Sequence, residues 1–404
     1  MNHPTPSSAS QPEAPRFSTL RQFAVNLSLV VVSTAVGYLI LEYVFFAALL
    51  PNYHFGVRPH LPETAEVLVQ SSKAKWVPRH YIAVLGDSYA EGIGDWLISN
   101  DGNEALPFGP VDLLHSLTGR DVVSFGRGGA GSAEGLVRQP ARILAGSDCM
   151  IFPHIEPPDR SFAFFFEGND IQDNLVFLNK VKAKYGSDDA QAIDRYLSDV
   201  YAYFPSWQCH LYLGDTIGRM VKFAIEYRNF TINDLRPERP GGNIITVNGR
   251  TIDAPSPLVG AALEIDEKGT QAGIEVFDRS LAWLRKRFAG LPITVVYIPS
   301  PLAIYHLDGT VIYRIEPEEA GLKGTTTPEA INRRSDQLCN LVRAVSMHRD
   351  MGFIDARPTL RAAGATEIIH GPTDWTHLNE KGYRALAGML ASRLGDHQSN
   401  DACN

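Results

Sequence analysis

The sequence predicts a three-layer α/β/α domain with a central parallel sheet, preceded by one N-terminal transmembrane helix. Three observations lead there. Short apolar runs, most of them ending in glycine or polar residues, recur between residues 81 and 355. Stretches with helical spacing of apolar residues alternate with them. One long apolar segment stands ahead of both.

The short runs are read as strands. YIAVL ends at Gly86, DVVSF at Gly126, and SFAFFF at Glu167 and Gly168. ITVVYIP begins at Ile293 and GFID at Gly352. Continuous apolar runs rich in β-branched and aromatic residues suit strands buried on both faces, as in a parallel sheet. The helical stretches include SAEGLVRQPARILAG, GIEVFDRSLAWLRKRF, INRRSDQLCNLVRAVSMH and EKGYRALAGMLASRL. Helices alternating with strands cover such a sheet on both sides. No internal repeat is present.

Residues 175–290 fit this rhythm less well. LSDVYAYF and IGRMVKFAIEY read as helical, and ITVNGRTI as a hairpin turning at Asn248-Gly249 in a type I′ turn. The stretch is expected to be an insertion into the core. Such insertions either shape substrate binding or elaborate the packing.

Residues 1–21 are polar and rich in Ser and Pro, and read as a disordered cytoplasmic tail. Residues 22–50 contain FAVNLSLVVVSTAVGYLILEYVFFAALL, from Phe23 to Leu50. About 20 apolar residues cross a bilayer as a helix. The segment lacks the polar stripe of a core helix. It is also too long for a signal peptide and has no A-x-A-like cleavage site. Glu42 is expected near the far interface, where it reaches water. Arg16 and Arg21 precede the segment, and only Arg58 follows closely. That bias places the N-terminus in the cytoplasm, so the domain faces the periplasm or exterior of the cytoplasmic (inner) membrane. Residues 51–80 read as a linker, 81–396 as the catalytic domain, and 397–404 as a C-terminal tail.

Hydrophobic residues make up 44% and charged residues 20%, so the chain can bury a core without staples. The net charge is −8 and no Lys/Arg-rich run occurs, which argues against a nucleic-acid partner. Cys149, Cys209, Cys339 and Cys403 are widely spaced. Without a CxxC pair, a zinc ribbon or thioredoxin-type site is not expected, and disulfide pairing stays open. His54, His60 and His80 are scattered in the linker and match no metalloprotease motif, so no metal site is expected either.

Four elements carry chemistry. Gly86-Asp87-Ser88 follows the strand YIAVL directly. In a parallel sheet the carboxyl ends of strands face the ligand crevice. A serine there begins the next helix, so it offers a hydroxyl nucleophile and an N–H that lacks an intrahelical partner. Asp374-Trp375-Thr376-His377 lies just before the last helix. A hydroxyl needs a base to take its proton, and a carboxylate on the other ring nitrogen fixes the histidine tautomer. Glu167-Gly168-Asn169-Asp170 ends the strand SFAFFF, where the Asn169 amide is a candidate oxyanion donor and a plain turn is the alternative. Ser124-Phe125-Gly126-Arg127-Gly128-Gly129 ends DVVSF, where glycines let backbone N–H groups approach a ligand.

In this order, each at a strand end, the elements resemble the sequence blocks of the SGNH (GDSL-type) hydrolase superfamily. The resemblance covers residues 81–395 and leaves the insertion unaccounted for. Its blocks are GDS with the nucleophile, a Gly-rich loop with a donating N–H, GxND with a donating Asn, and DxxH with the base. The resemblance implies Ser88 as nucleophile, His377 as base and Asp374 as its orienting carboxylate. It implies an oxyanion hole of Ser88, Gly129 and Asn169. DWTHLNEKGY, with Leu378, Asn379 and Gly382, extends the last block. Ser124 stands where an Asn is usual, so a loop hydrogen bond is expected to differ. The dense glycines leave Gly129 less fixed than Asn169.

The implied activity is that of a serine esterase without metal or organic cofactor. The anchor and the phrase FFEGNDIQDN resemble bacterial SGNH proteins associated with cell-surface polysaccharides. That implies a short acyl group, acetyl by preference, on an acylated carbohydrate or another small ester. Two alternatives keep the same residues: an O-acyltransferase, and a catalytically inactive polysaccharide-binding scaffold. Trp96 and Trp375 read as sugar platforms or as core. His370 reads as a polar loop residue. Gly126-x-Gly128-x-x-Gly131, with Asp148 downstream, also matches a dinucleotide fingerprint; the esterase reading uses the same loop and explains the other three motifs as well.

Overall fold

The computed structural model describes residues 16–44, 70–72, 80–99, 109–141, 157–202, 217–218, 221, 240–315, 322–396 and 399–403. Five strands form the central sheet: β1 (Ile82–Leu85), β2 (Val122–Ser124), β3 (Arg160–Phe166), β4 (Ile293–Ile298) and β5 (Gly352–Asp355). They are the five runs read as strands. Their order across the sheet is β2-β1-β3-β4-β5, and every pair is parallel. All their residues are buried, which is why the sequence shows runs rather than alternation.

The sheet separates two cores. On one face Leu85, Phe165, Val295, Tyr297 and Phe353 pack against Phe277, Leu281, Leu284, Leu338 and Val342. Those partners lie on helices Glu267–Arg287 and Pro328–His348. The Phe165 and Phe277 rings meet edge to face at 4.9 Å. On the other face Ile82, Val84, Phe164, Val296 and Ile354 pack against Leu113, Leu114, Leu360, Tyr383, Leu386 and Leu390. Those partners lie on Pro110–Thr118, Arg357–Thr366 and Glu380–Ser392. Neighbouring strand residues point to opposite faces, so one apolar run feeds both layers.

The stretch 175–290, expected as an insertion, contains helix Glu267–Arg287 of the covering layer. Ile274, Phe277, Leu281 and Leu284 form its buried stripe, at the spacing of a core helix. The hairpin does lie in this stretch, pairing Pro240–Val247 with Arg250–Pro255. Asn248 and Gly249 both have positive φ, 50° and 69°, as a type I′ turn requires. Strand His306–Asp308 joins its edge.

Chain segments close both edges of the central sheet. Ser71 bridges Val123, with Ser72 N donating to Val122 O at 2.8 Å and Ser124 N to Gln70 O at 2.8 Å. At the far edge Phe353 N donates to Ser399 O at 2.6 Å, and Cys403 is disulfide-bonded to Cys339. The expected linker 51–80 and tail 397–404 therefore each contain a segment bound to the domain. An open strand edge leaves N–H and C=O groups unpaired, and these segments satisfy them. Cys149 and Cys209 lie outside the described residues.

Helix Arg16–Val44 contains Arg21–Leu41, long and apolar enough to cross a membrane. None of that window is buried against the protein, which removes the core-helix reading.

Candidate active site

Gly86 turns the chain after β1 with φ 145°, where a Cβ would stand 3.0 Å from the Cβ of Phe164. Asp87 then caps a short helix, Ser88–Glu91, accepting the Tyr89 N–H at 3.0 Å. Ser88 is the first helical residue and is buried. The last loop comes to it from the other end of the chain. His377 Nε2 lies 2.8 Å from the Ser88 hydroxyl, and His377 Nδ1 lies 2.6 Å from Asp374 Oδ2. The other Asp374 oxygen accepts the N–H groups of Thr376 at 2.9 Å and His377 at 3.1 Å. A carboxylate only accepts, so Nδ1 carries a proton and Nε2 is free to accept from Ser88.

The electrostatics agree with this tautomer. Burial works to raise the Asp374 pKa, but His377 and the two N–H groups outweigh it and hold it at about 2. Burial works to lower that of His377, yet Asp374 leaves it raised above 6.5. Tyr89 packs its ring 5.5 Å from that of His377 and donates its hydroxyl to Thr376 O at 2.6 Å. Asn379 donates to the carbonyls of Ile368, His370 and Gly371 while capping the last helix, which accounts for its place in DWTHLNEKGY.

Asn169 follows β3. Its amide donates to Asp173 Oδ2 at 3.2 Å. An amide has two N–H groups, so one hydrogen remains for another acceptor. Gly129 sits at the exposed tip of the Gly-rich turn with φ 66°. A Cβ on its neighbour Gly128 would stand 4.0 Å from that of Ser88, so this turn flanks the serine. Ser124, where an Asn was expected, donates its hydroxyl to Ala90 O at 2.5 Å and accepts Gly126 N at 2.9 Å. It ties the loop to the Ser88 helix.

The structure thus brings Ser88, Asp374 and His377 into contact at the end of β1, with the Gly128–Gly129 turn beside the serine and Asn169 after β3, the strand paired with β1. It does not build a dinucleotide site there. Gly128 N donates to the Glu91 carboxyl, and a Cβ on Gly131 would stand 2.8 Å from that of Asp173. These glycines serve close packing, with acids where a phosphate would sit. Trp96 and Trp375 are buried in the core, their indole N–H groups bonded to Gly92 O at 2.8 Å and Pro372 O at 3.2 Å. Neither is a sugar platform. His370, read as a polar loop residue, is fully buried, 2.9 Å from the Tyr305 hydroxyl, and burial lowers its pKa to about 3. His80 is exposed, and His54, His60 and Asp148 lie outside the described residues.

Three further acids lie at the site: Asp87 and Asp170 fall inside the first and third motifs, where the sequence assigns them no role, and Asp95 falls on none. Asp95 accepts the Thr373 N–H at 3.0 and 2.9 Å and the Asp374 N–H at 3.3 Å. Asp87 and Asp170 are buried, and each has one oxygen on a backbone N–H and another without a partner among the described residues. Burial pushes the Asp87 pKa up to about 6. Burial and then the Asp87 charge hold that of Asp170 well above the usual carboxylate range.

A family model for GDSL-like lipase/acylhydrolase matches residues 82–389. Among solved structures, a lipase/acylhydrolase from Enterococcus faecalis is 12% identical, with 80% of this chain and 99% of that chain covered and a TM-score of 0.36. An extracellular lipase from Streptomyces rimosus is 14% identical, with coverages of 77% and 98% and a TM-score of 0.38. An aryl esterase from M. smegmatis is 13% identical, with 78% and 99% covered and a TM-score of 0.30. No curated protein matches.

Proposed function

The chain belongs to the GDSL-like lipase/acylhydrolase family and is an ester-bond hydrolase, and we propose that it works through an acyl-enzyme on Ser88. The observation that carries this is the line from Ser88 Oγ through His377 to Asp374, at 2.8 and 2.6 Å. Ser88 Oγ attacks the ester carbonyl while its proton passes to His377 Nε2. Asp374 stabilises the imidazolium so formed. The oxyanion is held by the N–H groups of Ser88 and Gly129 and by the free amide hydrogen of Asn169. The carbon–oxygen bond to the alcohol breaks, and His377 returns its proton to that oxygen. Water then attacks the acyl carbon, giving a proton to His377. The bond to Ser88 breaks, the acid leaves, and Ser88 regains its proton.

The substrate of this reading is a short acyl ester, acetyl by preference, on a cell-surface carbohydrate. Acids at the rim support a hydroxyl-rich partner: Glu91 on Gly128 and Asp173 on Asn169. The chain is held in the cytoplasmic membrane by residues 22–50, with the hydrolase outside. The Cys339–Cys403 disulfide supports that side, since disulfides persist in oxidising compartments.

The test is acetate release from an acetylated polysaccharide by the parent and by Ser88→Ala, beside 4-nitrophenyl acetate and a long-chain ester. Acetate release by the parent alone is expected. Cleavage of the long-chain ester only would overturn the substrate, and equal rates in both proteins would overturn Ser88. Protease added to intact spheroplasts should digest the domain; protection until lysis would overturn the orientation.

A further inference from the structure

Glu167 occupies the place where the GxND block has its glycine, two residues before Asn169. Its side chain is fully buried. Oε1 accepts the Ser300 N–H at 2.8 Å and the Ser300 hydroxyl at 2.7 Å. Oε2 accepts the Ser335 hydroxyl at 2.7 Å and the Tyr297 hydroxyl. Four donors on one carboxylate fill nearly all of its acceptor positions. They come from the end of β4, from the turn after it and from helix Pro328–His348. Glu167 is thus the bolt between these elements and the turn that carries Asn169.

The donors are themselves held. Arg357 is fully buried, binds Asp355 at 2.8–3.1 Å, reaches Asp336 at 2.5 Å and Ser335 Oγ at 3.4 Å, and stands 5.5 Å over the Tyr297 ring. The turn beyond Glu167 has little freedom, because a Cβ on Gly168 would stand 2.6 Å from Val259 and strike the Phe166 ring. Among the described residues Asn169 itself has one side-chain bond, the 3.2 Å contact to Asp173. Its aim depends on the backbone beneath it.

We propose that Glu167 is a positioning residue, its carboxylate fixing the turn that aims the Asn169 amide at the reacting oxygen. This rests on the donor role given to Asn169 above. Glu167 touches no reacting atom; it acts through Asn169. Removing it leaves the buried Ser300 N–H and the hydroxyls short of an acceptor, and the turn relaxes toward water. A glutamine keeps one oxygen for Ser300. Its amide can donate to the hydroxyls of Tyr297 and Ser335, which rotate to accept, and Tyr297 already reaches Ser335 O at 3.0 Å.

The experiment is hydrolysis of 4-nitrophenyl acetate by the detergent-solubilised full chain. The proteins are the parent, Glu167→Ala, Glu167→Gln, Ser300→Ala, Asn169→Ala and the double variants Glu167→Ala/Asn169→Ala and Ser300→Ala/Asn169→Ala. Asn169→Ala should lower kcat about 10²–10³-fold. Glu167→Ala should lower kcat about 10- to 100-fold with KM within about twofold, a loss confined to the transition state. Glu167→Gln should recover kcat to within about fivefold, and Glu167→Ala/Asn169→Ala should be no slower than Asn169→Ala. Ser300→Ala keeps the backbone donor and should lower kcat a few-fold in the parent but not in the Asn169→Ala background. It serves if Glu167→Ala does not fold.

A slow Asn169→Ala beside a Glu167→Ala at parent kcat overturns the positioning role alone. So does a Glu167→Ala/Asn169→Ala protein slowed by the full product of the two losses. Parent kcat in Asn169→Ala overturns the donor role and the positioning role with it.

Discussion

The carboxylate of Asp95 receives the backbone N–H of Thr373 through both of its oxygens, at 3.0 and 2.9 Å, across 278 positions of sequence. The Asp374 N–H adds a third bond at 3.3 Å. Asp374 and His377 sit on a loop, and a loop is only as precise as what holds its backbone. Asp95→Ala leaves these donors without their acceptor. We expect kcat for a short ester to fall about 10- to 100-fold, the effect of a small misplacement of a reacting group. Asp95→Asn, which keeps one acceptor, should lie between. Parent kcat in a folded Asp95→Ala protein would show that the loop holds itself.

Ser88→Ala and His377→Ala should each reduce ester cleavage by about 10⁴-fold or more, with the melting temperature within a few degrees of the parent. The double variant should be no slower than the worse single, because a nucleophile and its base fail as one unit. Initial rates of the three proteins on one ester check this. Multiplying losses would mean that the two residues do not share a step.

The pH dependence follows from the signs of two shifts. His377 acts as a base only when neutral, and its pKa is raised above 6.5. Activity should therefore fall on the acid side with a midpoint above pH 6.5. Asp374→Asn removes the charge that raises it, and burial then moves the midpoint of any residual activity down. Stability has a different window. The lowered Asp374 pKa stabilises the fold above 3.8, and this is lost as the pH falls toward about 2. The raised His377 pKa stabilises below 6.5 and is lost as the pH rises through the folded value. The stability lost in Asp374→Asn should thus be largest between pH 3.8 and 6.5. Thermal melts across pH decide it; a loss that grows above pH 8 contradicts the pair.

Asp87 runs the other way. Burial raises its pKa from 3.8 to about 6. The folded protein binds that proton more tightly than the unfolded chain, so the charge costs stability above pH 6, and the cost is relieved as pH falls toward 3.8. Asparagine keeps an oxygen for the Tyr89 N–H and carries no charge. Asp87→Asn should raise the melting temperature at pH 8, and by less at pH 5. A lower melting temperature at both values would show that the carboxyl is needed for a bond rather than tolerated as a charge.

The five sheet strands were legible because each is buried on both faces, so local composition alone marks them. The Asn248-Gly249 turn was legible because few residue pairs accept two positive φ angles. The apolar stripe of helix Glu267–Arg287 was legible in GIEVFDRSLAWLRKRF as that of a covering helix, whereas periodicity does not say which face of the sheet it covers. Ser88, Asn169, Asp374 and His377 could be named because each falls in a short motif at a strand end or before a helix.

The residues that hold them could not be read this way. Asp95 lies on no motif, and its partners are backbone N–H groups, which every sequence has at every position. Glu167 did carry a signal, an acid in the place of a glycine, but its meaning depends on Ser300 and Ser335, 133 and 168 positions away. In the chain Trp96 and Trp375 are open between sugar platforms and core, and His370 reads as a polar loop residue; all three are buried in the fold. The sequence by itself determined the layered architecture, the membrane-spanning candidate and the candidate catalytic side chains, because each of these is written in local spacing and residue chemistry. The tertiary structure alone decided which acids are buried, which donors they satisfy and how the nucleophile meets its base. Those are properties of distance and solvent exclusion between segments far apart in the chain.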